Sequence, residues 1–430
     1  MAVQQDEHIE IAIEKPAAGG RMLARHQGQV ILVQGGIPGE RVRARIGRVE
    51  RQLAFADAVE VLEPSADRRE PAMDPACGGC LYAHISYDRQ RALKAEIVRD
   101  AFARLGRITI DPPEVASSPE RGYRMRARLH VRGGRVGFYR EGTHDLCDAA
   151  ATGQMDDRAV AAAARAVEAL TAAGCGVSAV ELTENLGADE RVLHVLAAEG
   201  ADLSNRALDS ALTAAGLTGC TGRSANGDTR TSGVPFVTDP LQVLTSGVAA
   251  DGGLQRHVES FFQANRYLLP GLVTAVIAAV PPDGSVLDLY AGVGLFSVCL
   301  AASGRTRLTA VEGDRTSGKD LTRNAAAYAR TLRVAVASVE DYLMTRRPKA
   351  ATIIVDPPRT GMSREAMKAI VAVGAERIVY VSCDPATMAR DARRLVDGGY
   401  ELTSLQAFDL FPNTPHVESL GVFVRSARGV

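Results

Sequence analysis

Ser285-Val286-Leu287-Asp288-Leu289-Tyr290-Ala291-Gly292-Val293-Gly294 decides the fold of this 430-residue chain. A short apolar run carries an acid and passes into Gly-x-Gly, the pattern of a strand, a tight loop and a helix. Leu308-Thr309-Ala310-Val311-Glu312, Ala351-Thr352-Ile353-Ile354-Val355-Asp356 and Arg377-Ile378-Val379-Tyr380-Val381-Ser382 repeat the apolar run, each followed by a helical segment. That alternation, from Val258 onward, implies a parallel doubly wound sheet with ligands at the carboxyl ends of its strands. The fold class expected is α/β, with a Rossmann-like domain over residues 256–430.

Two units precede it. Residues 1–64 read as a small β-barrel. Ile9, Ile11 and Ile13 alternate, Val30-Ile31-Leu32-Val33 is a buried-strand run, and Arg41, Arg43 and Arg45 share one face. Gly19-Gly20, Gly35-Gly36 and Pro38-Gly39 supply turns, and compact barrels of this kind grip single-stranded nucleic acid. Residues 65–255 read as an α+β middle domain. A helix is expected over 86–105, packed on the C-terminal domain and stopped by Gly106, then a hairpin of 126–131 and 135–138 turning at Gly133-Gly134. An Ala-rich helix from Val160 to Leu170 and a strand from Val192 to Leu196 follow.

Composition narrows the class. A hydrophobic fraction of 46% with 23% charged residues excludes a disordered chain, and no apolar run reaches the ~18 residues of a membrane span. Met1 to Glu14 holds four acids and no Lys or Arg, unlike a signal peptide. Seven scattered cysteines suit a reducing cytoplasm. The net charge of −1 conceals an asymmetry: Lys15 to Arg140 carries 23 Lys and Arg against 14 Asp and Glu, the remainder 27 against 37. Codon bias could account for 45 of the 50 basic residues being Arg, but not for their placement. A basic module beside a near-neutral enzyme fits a nucleic-acid partner.

The chemistry-bearing residues cluster at predicted strand ends. Glu312 lies 20 residues beyond Gly292, the spacing of an acid that binds ribose hydroxyls, although Ser297 occupies the place of a third glycine. Asp356 precedes Pro357-Pro358, which ends the strand and leaves the acid at the lip of the sheet. Cys383 precedes Asp384, the expected N-cap of a helix with Pro385 in its first turn, so a depressed pKa and a reactive thiolate are expected. Glu418 in Pro415-His416-Val417-Glu418 supplies a carboxylate able to act as a general base.

Asp288-x-x-x-Gly292-x-Gly294 resembles motif I of the S-adenosylmethionine methyltransferases. Asp356-Pro357-Pro358 followed by an aromatic residue would look like an amino-group methyltransferase, but Arg359 stands there. Taken in order along the chain, the motifs resemble the RNA uracil-5-methyltransferases with an N-terminal TRAM domain, in their ribosomal-RNA branch. Gly19-Gly20 and Pro38-Gly39-Glu40-Arg41-Val42 resemble the TRAM domain; Tyr123-Arg124 with Arg126, and Phe261-Phe262-Gln263-Ala264-Asn265, resemble the segments before the catalytic domain. Asp356 to Arg359, Ser382 to Pro385 and His416 to Glu418 resemble the three catalytic signatures.

The resemblance implies S-adenosylmethionine as cofactor, Cys383 as nucleophile on uracil C6 and Glu418 as the base that removes the C5 proton. It implies that Gln263, Tyr290, Leu295, Glu312 and Asp356 line the cofactor site and that Ser338 contacts the adenine; Leu295 stands where a polar residue is common. The partner implied is RNA, ribosomal favoured with a transfer-RNA uridine-5 methyltransferase as the alternative, for a cytoplasmic, monomeric enzyme with no membrane role. A non-catalytic RNA-binding or ribosome-assembly factor that kept the fold is the alternative from another class, and intact Cys383 and Glu418 speak against it.

Cys77-Gly78-Gly79-Cys80 and the distal Cys147 resemble three of the four ligands of the family's four-iron cluster, with Pro71 at the place of the other. Three thiolates could hold a cluster with an outside ligand, a labile cluster, a zinc ion or nothing, and Cys77 and Cys80 could instead be a redox pair. Cys175, Cys220 and Cys299 read as structural.

Overall fold

The structure, a computed structural model, describes residues 3–17, 19–224, 227–249 and 251–426. Among them no helix is long and apolar enough to cross a membrane. β1 (His8–Pro16), β2 (Met22–His26), β3 (Gln29–Gln34), β4 (Arg41–Val49) and β5 (Leu53–Glu63) close into a barrel in the order β1-β2-β3-β5-β4. Ile9, Ile11, Ile13, Val42, Ala44 and Ile46 fill its interior, as their alternation requires. The arginines of β4 face outward, but three of them meet acids: Arg41 pairs with Glu10 at 2.9 Å and Glu63 at 3.5 Å, Arg43 with Glu10 and Glu60, and Arg48 with Glu50 at 3.1 Å. This face of the barrel is a lattice of alternating charge rather than bare positive charge.

Glu40, fully buried, fastens the connector after the barrel. It accepts from Arg68 Nε at 2.6 Å and from the amides of Ile37 and Ser65. α1 (Tyr87–Ala101) follows and packs on the C-terminal domain. Its end differs from expectation. α-Helical bonding stops at Ala101, Phe102–Gly106 opens into a π turn, and Arg107 takes the left-handed conformation at φ 51°. Gly106 is therefore not the stop. A Cβ on it would stand 3.0 Å from the Ala389 carbonyl, so the glycine serves close approach between segments. The wider turn rotates Leu105 off the apolar face into solvent.

β6 (Val115–Ala116) precedes a seven-stranded sheet: β7 (Arg126–Arg132), β8 (Arg135–Tyr139), β9 (Leu146–Asp148), β10 (Val177–Glu184), β11 (Arg191–Ala197), β12 (Gly219–Arg223) and β13 (Thr229–Gly233). Its order is β13-β12-β11-β10-β7-β8-β9. α2 (Asp157–Ala172) and α3 (Asn205–Ala215) cover one face through an Ala-, Leu- and Val-rich core that includes Cys175 and Cys220. β14 (Phe236–Pro240) and β15 (Gly253–His257) pair as a separate ribbon, with the one-turn α4 (Leu241–Leu244) between them.

After α5 (Leu269–Ala279) come β16 (Val286–Leu289), α6 (Leu295–Ala302), β17 (Leu308–Glu312), α7 (Arg315–Ala325), β18 (Leu332–Val336), α8 (Val339–Arg346), β19 (Thr352–Val355), α9 (Arg364–Val373), β20 (Arg377–Ser382), α10 (Pro385–Asp397), β21 (Tyr400–Phe408) and β22 (Glu418–Arg425). The sheet order is β18-β17-β16-β19-β20-β22-β21-β6. Its first five strands are parallel and both faces are covered, which explains their continuous apolar sequence. β22 is antiparallel to β20 and β21, and β6 pairs with β21 through Val115 and Ala116, so a piece of the N-terminal half completes this sheet.

Candidate active site

The loop after β16 has the geometry its glycines require. Tyr290, Gly292 and Gly294 have φ of 61°, 56° and 96°. At Gly294 a Cβ would stand 2.7 Å from Val298 Cγ2 and 2.9 Å from Leu321 Cδ1, so conformation and space both demand glycine. Ser297, in place of the third glycine, is buried; its amide donates to Asp288 Oδ2 at 3.1 Å. Glu312 reaches the loop as its spacing suggested. Its carboxylate accepts from the Gly292 amide at 2.7 Å and the Asp314 amide at 2.6 Å, pinning the loop while keeping acceptor capacity for a ligand. Ser338 stands beside it at the end of β18 as N-cap of α8, accepting from the Asp341 amide at 3.1 Å. Leu295 starts α6 with its side chain in the main apolar cluster.

Asp288 and Asp356 lie on the neighbouring strands β16 and β19 and form an acidic floor. Asp288 is pushed up to about 7 by burial and by the nearby Glu312 charge. Asp356 is also pushed up to about 7, by burial and then by Asp288, while a hydrogen bond from the Gln263 side chain opposes the rise. Asp288 Oδ1 and Ser297 Oγ, both buried, have no hydrogen-bond partner. Desolvated acids without a neighbouring cation make an environment that favours a positively charged ligand.

Cys383 follows β20, and Glu418 begins β22. Because β22 runs antiparallel with Ser382 opposite Ser419, the start of one strand meets the end of the other, and both side chains come to the carboxyl edge beside Asp356. Asp384 caps α10, accepting from the Thr387 amide at 2.7 Å, with Pro385 in the first turn as expected.

The expected thiolate is corrected. Burial pushes the Cys383 thiol up to about 11, the Glu418 carboxylate adds to the rise, and Arg359, which hydrogen-bonds the sulfur, opposes it. Desolvation and a facing acid set the direction of the shift. Glu418 is almost fully buried, its Oε1 has no hydrogen-bond partner, and burial followed by Asp356 raises its carboxyl well above the usual range. In the sequence Arg359 closes one of the three signature segments and speaks against the amino-group pattern, with no role of its own. Its backbone carbonyl accepts from Thr387 Oγ1 at 3.1 Å, tying the loop after Asp356 to α10.

Cys77, Cys80 and Cys147 come together as a small buried cluster with Ala83, Met73 and Phe138 at its border. The neighbouring Cys80 thiol and burial push the Cys77 thiol well above its usual range. Among the described residues, no group of three or more His, Cys, Asp or Glu side chains is arranged to hold a metal ion. With Pro71 at the other position, the three-cysteine set lacks one of the four thiolates that a four-iron cluster takes, and so does not fit it.

The profile of the family described as tRNA (Uracil-5-)-methyltransferase matches residues 236–427, and that of the TRAM domain residues 3–59. An uncharacterized RNA methyltransferase of Streptomyces coelicolor is 33% identical over 99% of this chain and 94% of its own. The 23S rRNA (uracil(1939)-C(5))-methyltransferase of Alkalilimnicola ehrlichii is 32% identical over 98% of each chain. In structure, the chain resembles the tRNA (uracil-54, C5)-methyltransferase of Pyrococcus abyssi, solved with S-adenosyl-L-homocysteine. The TM-score is 0.76 at 24% identity, over 96% of this chain and 99% of that one. Joined to a closed N-terminal barrel and a doubly wound C-terminal sheet, these matches show that the chain belongs to the TRAM-domain RNA uracil-5-methyltransferases, S-adenosylmethionine-dependent enzymes.

Proposed function

We propose that this enzyme makes 5-methyluridine in ribosomal RNA through a covalent intermediate on Cys383, in the cytoplasm. The observation that carries the reading is the meeting of Cys383 and Glu418 across the β20–β22 pairing, beside Asp356 and Gln263. The whole-length similarity to a 23S rRNA enzyme favours ribosomal RNA.

S-adenosylmethionine supplies an electrophilic methyl group on a cationic sulfur, and the Gly292–Gly294 loop, Glu312 and the acids Asp288 and Asp356 suit such a ligand. Uracil C5 is a poor nucleophile until C6 is attacked. The Cys383 sulfur, once its proton has left for solvent and Arg359 steadies the anion, adds to C6. The C5–C6 π electrons move toward the C4 carbonyl, giving an enolate. C5 would then attack the donor's methyl carbon, whose bond to sulfur breaks with its electron pair to leave a neutral thioether. Glu418 removes the remaining C5 proton, the electron pair restores the C5–C6 double bond, and the C6–S bond breaks to return the Cys383 thiolate. A desolvated carboxylate is a strong base for that proton. Gln263, hydrogen-bonded to Asp356, would help hold base and methyl donor in line. A base paired in a helix cannot enter such a site, so the target uridine should be looped out or flipped.

Incubation with 5-fluorouridine RNA and cofactor should trap a covalent adduct on Cys383, since fluorine cannot leave as a proton would. Absence of an adduct with an RNA that the enzyme methylates would refute the mechanism. Mass-spectrometric mapping of 5-methyluridine in RNA from a deletion strain will show whether the missing nucleotide is ribosomal.

A further inference from the structure

The loop of residues 409–417, which delivers Glu418 to the site, is held from far away in the chain. Lys94 of α1, fully buried, pairs with the fully buried Asp409 and donates to the Phe411 carbonyl at 3.1 Å. Asn413, in the left-handed conformation at φ 62°, is gripped at three atoms. Its amide donates to Gln90 Oε1 at 2.9 Å, and its carbonyl accepts from the Tyr82 amide at 2.9 Å. Its Oδ1 accepts from Gln90 Nε2 and from Arg69 Nη2, each at 2.9 Å. Gln90 is itself fully buried and also donates toward the Tyr82 and Ile85 carbonyls. Arg69 is braced by Glu120. Glu418 Oε1, by contrast, has no hydrogen-bond partner.

We propose that Asn413, clasped by Gln90 and Arg69, is a positioning residue that sets where Glu418 stands for removal of the C5 proton. The inference rests on the covalent reading above. A carboxyl with an unbonded oxygen takes its place from its backbone, and the backbone before β22 takes its place from this clasp. Addition of Cys383 to C6 and methyl transfer to C5 do not use Glu418. Only the last step does: the C5–H bond breaks toward the carboxylate, the double bond re-forms, and the C6–S bond breaks. Displacing the loop should therefore slow release and spare the earlier steps.

The test uses the full-length enzyme, S-adenosylmethionine and uridine-containing substrate RNA. Asn413→Gly keeps the left-handed backbone and deletes the side-chain bonds to Gln90 and Arg69, and Gln90→Leu removes the Gln90 bonds to the side chain and backbone N–H of Asn413. Each should turn over at least ~10-fold more slowly, as a sub-ångström to 1 Å misplacement of a catalytic group allows. Each should also show a burst of methyl transfer and methylated RNA trapped on Cys383 in denaturing gels, where the parent enzyme shows none. Asn413→Asp, which keeps an acceptor for Gln90 and Arg69, should restore release. Turnover at the parent rate in both variants, or an equal loss of methyl transfer and release, would overturn the proposal. Failure of the parent enzyme itself to form an adduct with 5-fluorouridine RNA would instead overturn the covalent reading, and this inference with it.

Discussion

Arg359→Gln isolates what makes the Cys383 sulfur usable. The thiol stands at about 11, against ~8.5 for a free cysteine, so at pH 7.5 only about one molecule in 3,000 carries the thiolate before ligands bind. Arg359 works against that rise through its hydrogen bond and its charge. A charge-assisted hydrogen bond of this kind is worth ~1.5–3 kcal/mol. At ~1.36 kcal/mol per tenfold change, its loss should lower the thiolate population roughly 10- to 100-fold. The assay is alkylation of Cys383 by iodoacetamide between pH 6.5 and 10, followed by mass spectrometry of the peptide. In the parent enzyme the rate should still be climbing at pH 9.5, because the anion forms only as pH approaches the raised pKa. Arg359→Gln should lie ~10- to 100-fold below it at each pH, and Arg359→Lys, with charge but no planar fork, between the two. A parent plateau below pH 8, or equal rates for parent and Arg359→Gln, would refute the reasoning.

Glu418→Gln should form the 5-methyl adduct on ordinary RNA yet release it ~100-fold or more slowly, as loss of a general base predicts; gel-shifted, methylated enzyme measures it. Asp356→Asn should stabilise the ligand-free protein at pH 8 and weaken cofactor binding. A carboxyl at about 7 when folded and ~4 when unfolded costs stability as pH rises through that window. A gain of about 1–2 kcal/mol, or ~1–2 °C in Tm, should be seen by calorimetry at pH 8 and vanish near pH 4. Lys94→Met should leave Asp409 buried without its cation and cost ~3–5 kcal/mol in urea unfolding, with much of the loss recovered by adding Asp409→Leu. Protein purified without oxygen should hold iron well below one cluster per chain by elemental analysis, and denaturation should release Cys77, Cys80 and Cys147 as free thiols.

The strands and loops that shape the proposed cofactor end of the site were legible because they obey local rules. Asp288 to Gly294 needs its glycines for conformation and space, Asp356 is fixed by the prolines after it, and Asp384 is a cap by type and position. What escaped was decided at long range. No local pattern shows that β22 runs backwards between β20 and β21, which is what brings Glu418 to Cys383. The thiol was misjudged because a helix N-terminus is visible in sequence whereas burial and a facing acid are not. The outward arginines of β4 suggested a bare basic face because Glu10, Glu60 and Glu63 are distant in sequence and adjacent only in the closed barrel. Gly106 was taken for a helix stop because the backbone of Ala389, which it accommodates, lies almost 300 residues away.

The short pairing of Val115 and Ala116 with β21 bears on how this protein can be cut and recombined. A fragment starting near residue 256 would hold every group of the proposed chemistry, yet it would lack β6 and α1. The edge of β21 would lose its partner, and the surface that receives Ala95, Val98 and Phe102 would be open to solvent. Unpaired strand edges and bared apolar faces seed aggregation. The boundaries readable along the chain are thus poor places for scissors. A chimera that exchanges RNA-binding modules between relatives would need to keep residues 87–116 with the sheet they complete, grafting the barrel and the seven-stranded sheet around them.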